Sequence, residues 1–347
     1  MFEAIVSLCL LSDPAVCRDV LIPGYESISV AECDAQLRAN PPDLKLFLNE
    51  EPHGMAACAP VGDTLRFQQA ARGVFVHRGA ISDANPENEG DVANVAFVIG
   101  KSAVAVIDSG GSRRVSEQIY RAVRSETGLP VRYVVLTHMH PDHVLGASLF
   151  AQAGAEIVGH SGLARGLSDR SDAYMNRFQD LIGAAGFIGT QVVMPDIGVE
   201  KMLDLDLGDR VLHLRSWPNG HSINDLTVGD PTSGILFTGD LMFHEYTPAL
   251  DGSVLGWQTV LTELQALPYH TIMPGHGGPI LDWPDSAGPL NAYLALLISD
   301  TRSAIVRGDS LGDAVRVIGQ SQAADWDLFD QFNPRNATVA FTELEWE

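Results

Sequence analysis

His138-Met139-His140-Pro141-Asp142-His143 places four potential metal-ligating side chains within six residues of a chain that has 11 histidines. Imidazole and carboxylate together suit zinc, with iron or manganese as further options. His138 and His140 lie two apart and suit one metal, while Asp142 and His143 can turn to a second. Three more residues of the same types follow short apolar runs and sit beside glycine. They are His221 in Pro218-Asn219-Gly220-His221-Ser222, Asp240 in Thr238-Gly239-Asp240, and His276 in Pro274-Gly275-His276-Gly277-Gly278. Glycine allows the sharp turns that bring a ligand to a crowded centre. Two cations near a shared water would make hydroxide available at neutral pH. The expected chemistry is attack by that metal-bound hydroxide on a polarised carbonyl, with Asp142 as the catalytic residue orienting the water. The sequence holds no nucleophile-elbow GxSxG after a strand, its one match to the pattern at 308–312 following the predicted 290–307 helix, and its four cysteines all precede residue 60. A covalent enzyme intermediate is therefore not expected.

The elements that must position these residues follow from the flanking pattern. Tyr133 to Thr137 is a continuous apolar run that suits a buried strand. Pro141 bars a regular helix across the motif, which places it on a strand-to-helix loop. Open α/β sheets put their sites at such strand ends, and a helix starting near Asp142 would present its N-terminus there. Further strands are predicted at 74–77, 93–99, 104–108, 156–159, 211–217, 226–228, 235–238 and 271–273. Helices are predicted at 113–126, 163–186, 257–267 and 290–307. Asp240 and His276 are expected at the ends of the 235–238 and 271–273 strands. This β-then-α order, repeated, predicts two sheets face to face with helices outside. The 163–186 stretch carries Met175, Phe178, Leu181 and Ile182, a stripe that joins the core or walls the pocket. Substrate contacts are assigned to His160, at a strand end expected to face the site, and to the hydrogen-bonding Asn224 and Tyr246. His77, His213, His244 and His270 are expected to be structural.

The charge balance narrows the partners. With 22 basic against 44 acidic residues the formal net charge is −22, which repels nucleic acid and anionic membranes. No apolar run approaches the roughly 20 residues of a membrane span. A small-molecule substrate is expected. Cys9, Cys17, Cys33 and Cys58 suggest two disulfides, with three pairings open, and hence an oxidising compartment such as a periplasm. The cytoplasm is the alternative, since no clear signal peptide is present: Ala4 to Leu11 is apolar, but Glu3 is the only charge before it. That run is read as the first helix of a small cystine-bearing segment. The predicted organisation is an N-terminal segment 1–60, a catalytic domain 64–310, and an extension 311–347 packing on the domain.

The order HMHPDH, GH, TGD and PGHG resembles the metallo-β-lactamase superfamily over roughly residues 70–285. The resemblance implies a four-layered αββα sandwich with a dinuclear zinc site. His138, His140 and His221 would hold the first metal, Asp142, His143 and His276 the second, and Asp240 would bridge both. A bridging aspartate resembles glyoxalase II and lactonases, whereas many zinc β-lactamases carry cysteine or serine there. The implied substrate is an ester, thioester or lactone, ahead of a β-lactam. An iron-dependent redox enzyme on the same fold and a non-catalytic cofactor- or quinoprotein-binding module are the other readings. The LCL and VCRDVLIPGYE stretches near the N-terminus, Gly90 to Asn94, Asn224 to Thr227, Pro248 to Ser253 and Phe332 to Thr338 resemble the quinoprotein relay system zinc metallohydrolase subfamily. Glu89 departs from it, standing where a second glycine is expected. This resemblance implies a periplasmic quinoprotein or cytochrome system as company, with pyrroloquinoline-quinone-dependent alcohol oxidation.

Overall fold

A computed structural model describes residues 1–47 and 49–347. Among these, the strands form three sheets. Two of them stack, and the apolar strand runs explain why. Val74, Val76, Ala96, Ile107 and Val135 face Leu212, Leu214, Val228 and Phe237 across the inter-sheet core. The alternate residues Phe75, Phe97, Val106 and Val134 face the other way, onto a layer of helices. Strands buried on both faces read as continuous apolar runs because neither side meets water. Arg113–Glu126, Ala147–Gln152 and Leu163–Ile182 cover the seven-stranded sheet. Val254–Gln265, Gly288–Arg307 and Phe329–Leu344 cover the six-stranded one, through Trp257, Tyr293, Leu297 and Phe341. The result is the expected αββα sandwich. The helix at Arg113–Glu126 matches its predicted bounds, since the Ser112 side chain accepts the Val115 N–H and caps it.

The N-terminal run is a strand, not the expected helix. Phe2–Leu10 lies inside a four-stranded sheet, pairing with Cys17–Ser27 on one edge and with Glu50–Pro52 and Ala57–Pro60 on the other. A short apolar run suits either element by composition. Its partners decide: Ala4, Val6 and Leu8 alternate into a small core with Val20, Ile22 and Ile188. Cys9 stands opposite Cys17 in that pairing. The disulfides are Cys9–Cys17 and Cys33–Cys58, one of the three open pairings. This sheet is locked to the sandwich by a buried ion pair. Arg18 reaches Glu117 at 2.8 Å, and Glu117 also accepts the Leu21 N–H at 3.2 Å and lies 3.3 Å from Arg113.

A second difference concerns Asp240. Its strand runs over Ile235–Phe243 rather than stopping at Thr238, with a break in regular pairing at Gly239. Gly239 has φ 51°, a left-handed value that glycine adopts at low cost. A side chain there would meet Thr137 at 2.5 Å. No helix among the described residues is long and apolar enough to cross a membrane.

Candidate metal centre

The HMHPDH segment follows the strand Val131–Val135, and Pro141 opens the short helix Pro141–Val144. The base of the segment is pinned by Asp108, whose two oxygens accept the Thr137 N–H at 2.8 Å and the Thr137 hydroxyl at 2.9 Å. His221 comes from the loop after Val211–Ser216, Asp240 from the irregular strand, and His276 from the last position of Thr271–His276. The fold brings all seven together in two groups, His138, His140, His221 and Asp240, and Asp142, His143 and His276.

Asp240 stands between the groups. Its Oδ2 is 3.6 Å from His138 Nε2 and 3.5 Å from His221 Nε2. Its Oδ1 is 3.2 Å from His143 Nε2 and 3.4 Å from His276 Nε2. Asp142 Oδ2 lies 3.3 Å from His276 Nε2 and 3.6 Å from His143 Nε2. Two ligands on one tetrahedral ion, each at about 2.0–2.1 Å, sit roughly 3.3 Å apart. His138 Nε2, His143 Nε2 and Asp240 Oδ1 are buried with no hydrogen-bond partner among the described residues. Each such atom costs about 1–3 kcal/mol if left unsatisfied. Donor type, spacing and orphaned atoms all fit a pair of divalent cations.

The outward nitrogen of four rings is tied down, which turns the other nitrogen inward. His138 Nδ1 is 3.1 Å from the Thr137 hydroxyl, and His143 Nδ1 is 2.8 Å from Asp108 Oδ2. His276 Nδ1 lies 2.9 Å from the Val92 carbonyl, and His140 Nε2 lies 3.1 Å from Asp251 Oδ2. Asn94 donates to the Pro274 and Gly277 carbonyls and so clamps the loop bearing His276. A side chain at Gly275 would come within 1.9 Å of Asp240 Oδ1, so only glycine leaves the carboxylate room.

The protonation pattern reflects this crowding. Burial alone would raise Asp240, but His276, His143 and His138 hold it well below the usual carboxylate range. Burial likewise opposes ionisation of Asp142, yet His143 and His276 bring it to about 2. Burial drives His221 down to about 3, with neighbouring His140 adding to the effect. His276 resists its burial and rises to about 9 beside Asp240 and Asp142. Shared protons thus balance the carboxylates, a role that bound cations take over as they displace protons from such ligands.

The three residues assigned to substrate have different fates. Tyr246 lines the cavity over the centre, its ring stacked on His276 with centroids 4.7 Å apart. Asn224 is fully buried, and its Oδ1 accepts the Met139 N–H at 3.2 Å. It braces the ligand loop rather than facing the cavity. His160, expected to face the site, lines a separate groove with Glu200, Met202 and Trp217. His77 is fastened to the Arg66 carbonyl and Asp91, and His213 pairs with Asp204 at the surface.

Several residues at the site went unassigned from sequence. Asp108 and Asp251 fix His143 and His140. Arg170, Tyr174 and Arg177 line the cavity from one helix, and Phe332 and Arg335 from another. The spacing of Arg170, Tyr174 and Arg177 by four and three residues was a readable sign of one polar helix face. Glu89, where glycine was expected, has φ 54°, and its carboxylate pairs with Arg114 at 2.6 Å.

Residues 88–276 match the family described as the Metallo-beta-lactamase superfamily. A search of curated proteins finds no match. Among solved structures, a metallo-beta-lactamase from Pontibacter korlensis is 20% identical with a TM-score of 0.54, over 67% of this chain and 99% of that one. The metallo-beta-lactamase FIM-1 from Pseudomonas aeruginosa, in its mono-zinc form, is 20% identical with a TM-score of 0.51, over 68% and 96%. The stereoselective inverting sec-alkylsulfatase Pisa1 from Pseudomonas is 16% identical with a TM-score of 0.63, over 81% of this chain and 50% of that one. At these identities the likeness establishes the shared fold.

Proposed function

The chain belongs to the metallo-β-lactamase superfamily, a family of hydrolases, and from that premise we propose that it is a dinuclear zinc hydrolase of a small ester, thioester or lactone. The observation that carries the reading is the placement of Asp240, with one oxygen turned to each group of histidines. His138, His140 and His221 would hold one zinc, Asp142, His143 and His276 the other, and Asp240 both. When bound, such a pair supplies Lewis acidity that polarises a carbonyl and acidifies a water.

The chain's own residues then divide the work. Asp108, Asp251 and the Val92 carbonyl keep three imidazoles aimed inward. Asp142 reaches the cavity wall and is ionised, so it can accept a hydrogen bond from an attacking water and orient it. The Tyr246 hydroxyl has no protein hydrogen bond among the described residues and is free to donate to a substrate oxygen. Phe243 and Phe332 narrow the cavity and exclude bulk water.

Residues 1–60, 64–310 and 311–347 are read as an N-terminal segment, the catalytic domain and an extension that walls its pocket. Two disulfides point to an oxidising, extracytoplasmic environment. Membership of the quinoprotein relay subfamily, and a periplasmic role beside quinoprotein alcohol oxidation, rest on the sequence resemblance of the segments from Gly90, Asn224, Pro248 and Phe332.

Zinc-loaded protein assayed on ester, thioester, lactone and β-lactam panels, with metal analysis alongside, tests the proposal. Asp142→Asn at matched zinc content should lower kcat by roughly 10²–10⁴ on the substrate found. Unchanged turnover in that variant would remove Asp142 from the mechanism, and iron in place of zinc would favour redox chemistry.

A further inference from the structure

Beyond the reaction centre, the mouth of the cavity carries a charge pattern opposite to that of the whole chain. Only 22 residues are basic, against 44 acidic, yet Arg170, Arg177 and Arg335 all line one cavity of about 260 Å³. Arg170 and Arg177 come from the same helix, Leu163–Ile182, seven residues apart and so on one face. Arg335 comes from Phe329–Leu344. Arg170 and Arg335 converge on a single carboxylate: Arg170 pairs with Asp251 Oδ2, and Arg335 donates to Asp251 Oδ1 at 2.9 Å. Asp251 also holds His140. Arg177 is exposed and has no ion pair or hydrogen bond among the described residues. The other acid at the mouth is Asp83, which accepts from Gln331 at 2.7 Å. Asp142 and Asp240 are turned into the histidine cluster. At the mouth, three guanidiniums therefore meet two carboxylates.

We propose that the substrate carries a carboxylate remote from the scissile carbonyl, and that Arg177, with Arg170 and Arg335 beside it, binds that carboxylate. The proposal rests on the hydrolase reading above. A guanidinium fork matches a carboxylate in shape and charge. In a chain of net charge −22, anions are repelled at long range, so a cationic mouth acts only on a ligand already close. The cavity lies below the roughly 300–1,000 Å³ of drug-sized sites, which suits a small acid. Tyr246, stacked on His276, and Phe332, 5.1 Å from Tyr246 by ring centroids, give its apolar body an aromatic wall.

The test compares monophenyl glutarate with its terminal carboxamide on zinc-loaded, full-length protein. The expected kcat/KM preference for the carboxylate is roughly 10- to 100-fold, carried mainly in KM. Arg177→Gln should collapse that preference. Arg165→Gln, on the same helix with its side chain 90% exposed and outside the cavity lining, should keep it. Equal turnover of the two esters, or an Arg177→Gln variant with the wild-type preference, overturns the proposal. A binding arm separates it from the hydrolase reading. Glutarate should bind about ten-fold tighter than glutaramate by calorimetry, and Arg177→Gln should abolish the difference. No ester turnover with that binding preference intact would refute hydrolysis alone. Equal binding of the two ligands would refute carboxylate recognition alone.

Discussion

His140 Nε2 lies 3.1 Å from Asp251 Oδ2, across 111 positions of sequence. The contact leaves His140 Nδ1 facing His221 Nε2 at 3.0 Å, inside the first group of ligands. The same carboxylate takes Arg170 and Arg335, so one aspartate links the ligand set to the mouth of the cavity. Asp251→Ala should weaken zinc binding by roughly 10- to 100-fold, the usual cost of losing the partner that orients a ligating imidazole. Chelator competition measures it. Wild-type affinity in the variant would mean that His140 needs no such support.

Asp240→Ala should lower occupancy of both metal sites, since one oxygen of the carboxylate serves each group. The wild-type chain should carry about two zinc ions by elemental analysis, one for each group of ligands. Full two-metal loading of the variant contradicts the bridging assignment.

Glu117→Gln should destabilise the fold by about 3–5 kcal/mol, because it strands buried Arg18 and Arg113 without their carboxylate. Urea denaturation monitored by tryptophan fluorescence reads the loss. A change under about 1 kcal/mol would show that the N-terminal sheet is held by its apolar core instead.

Cys33→Ala should cost about 3 kcal/mol, as expected for a cross-link spanning a separation of 25 residues. Protein recovered from an oxidising compartment should take up no alkylating reagent before reduction. Four labelled thiols in that material would remove both disulfides and the argument from them for an extracytoplasmic location.

Local chemistry was legible in the sequence, and long-range geometry was not. The density of histidine and aspartate in HMHPDH, and the glycines beside His221, Asp240 and His276, marked the residues that the fold gathers, because such side chains converge where strands end or their regular pairing breaks. The apolar runs at 104–108 and 133–137 announced strands buried on both faces, since burial leaves no polar alternation. By contrast, Phe2–Leu10 could be helix or strand on composition, and only pairing with Cys17–Ser27 decided it. His160 ends a strand as expected, but it lines another groove, with Glu200 and Trp217. Asn224 stood in a recognisable motif, yet its contact with Met139 spans 85 positions and turns it inward. Arg170 stood on a readable polar helix face, and Asp251 and Arg335 stood in recognisable stretches, but nothing local showed that the three meet. Their meeting depends on how two helices and a loop pack over the sheet edge, and packing is a property of the whole chain rather than of any window in it.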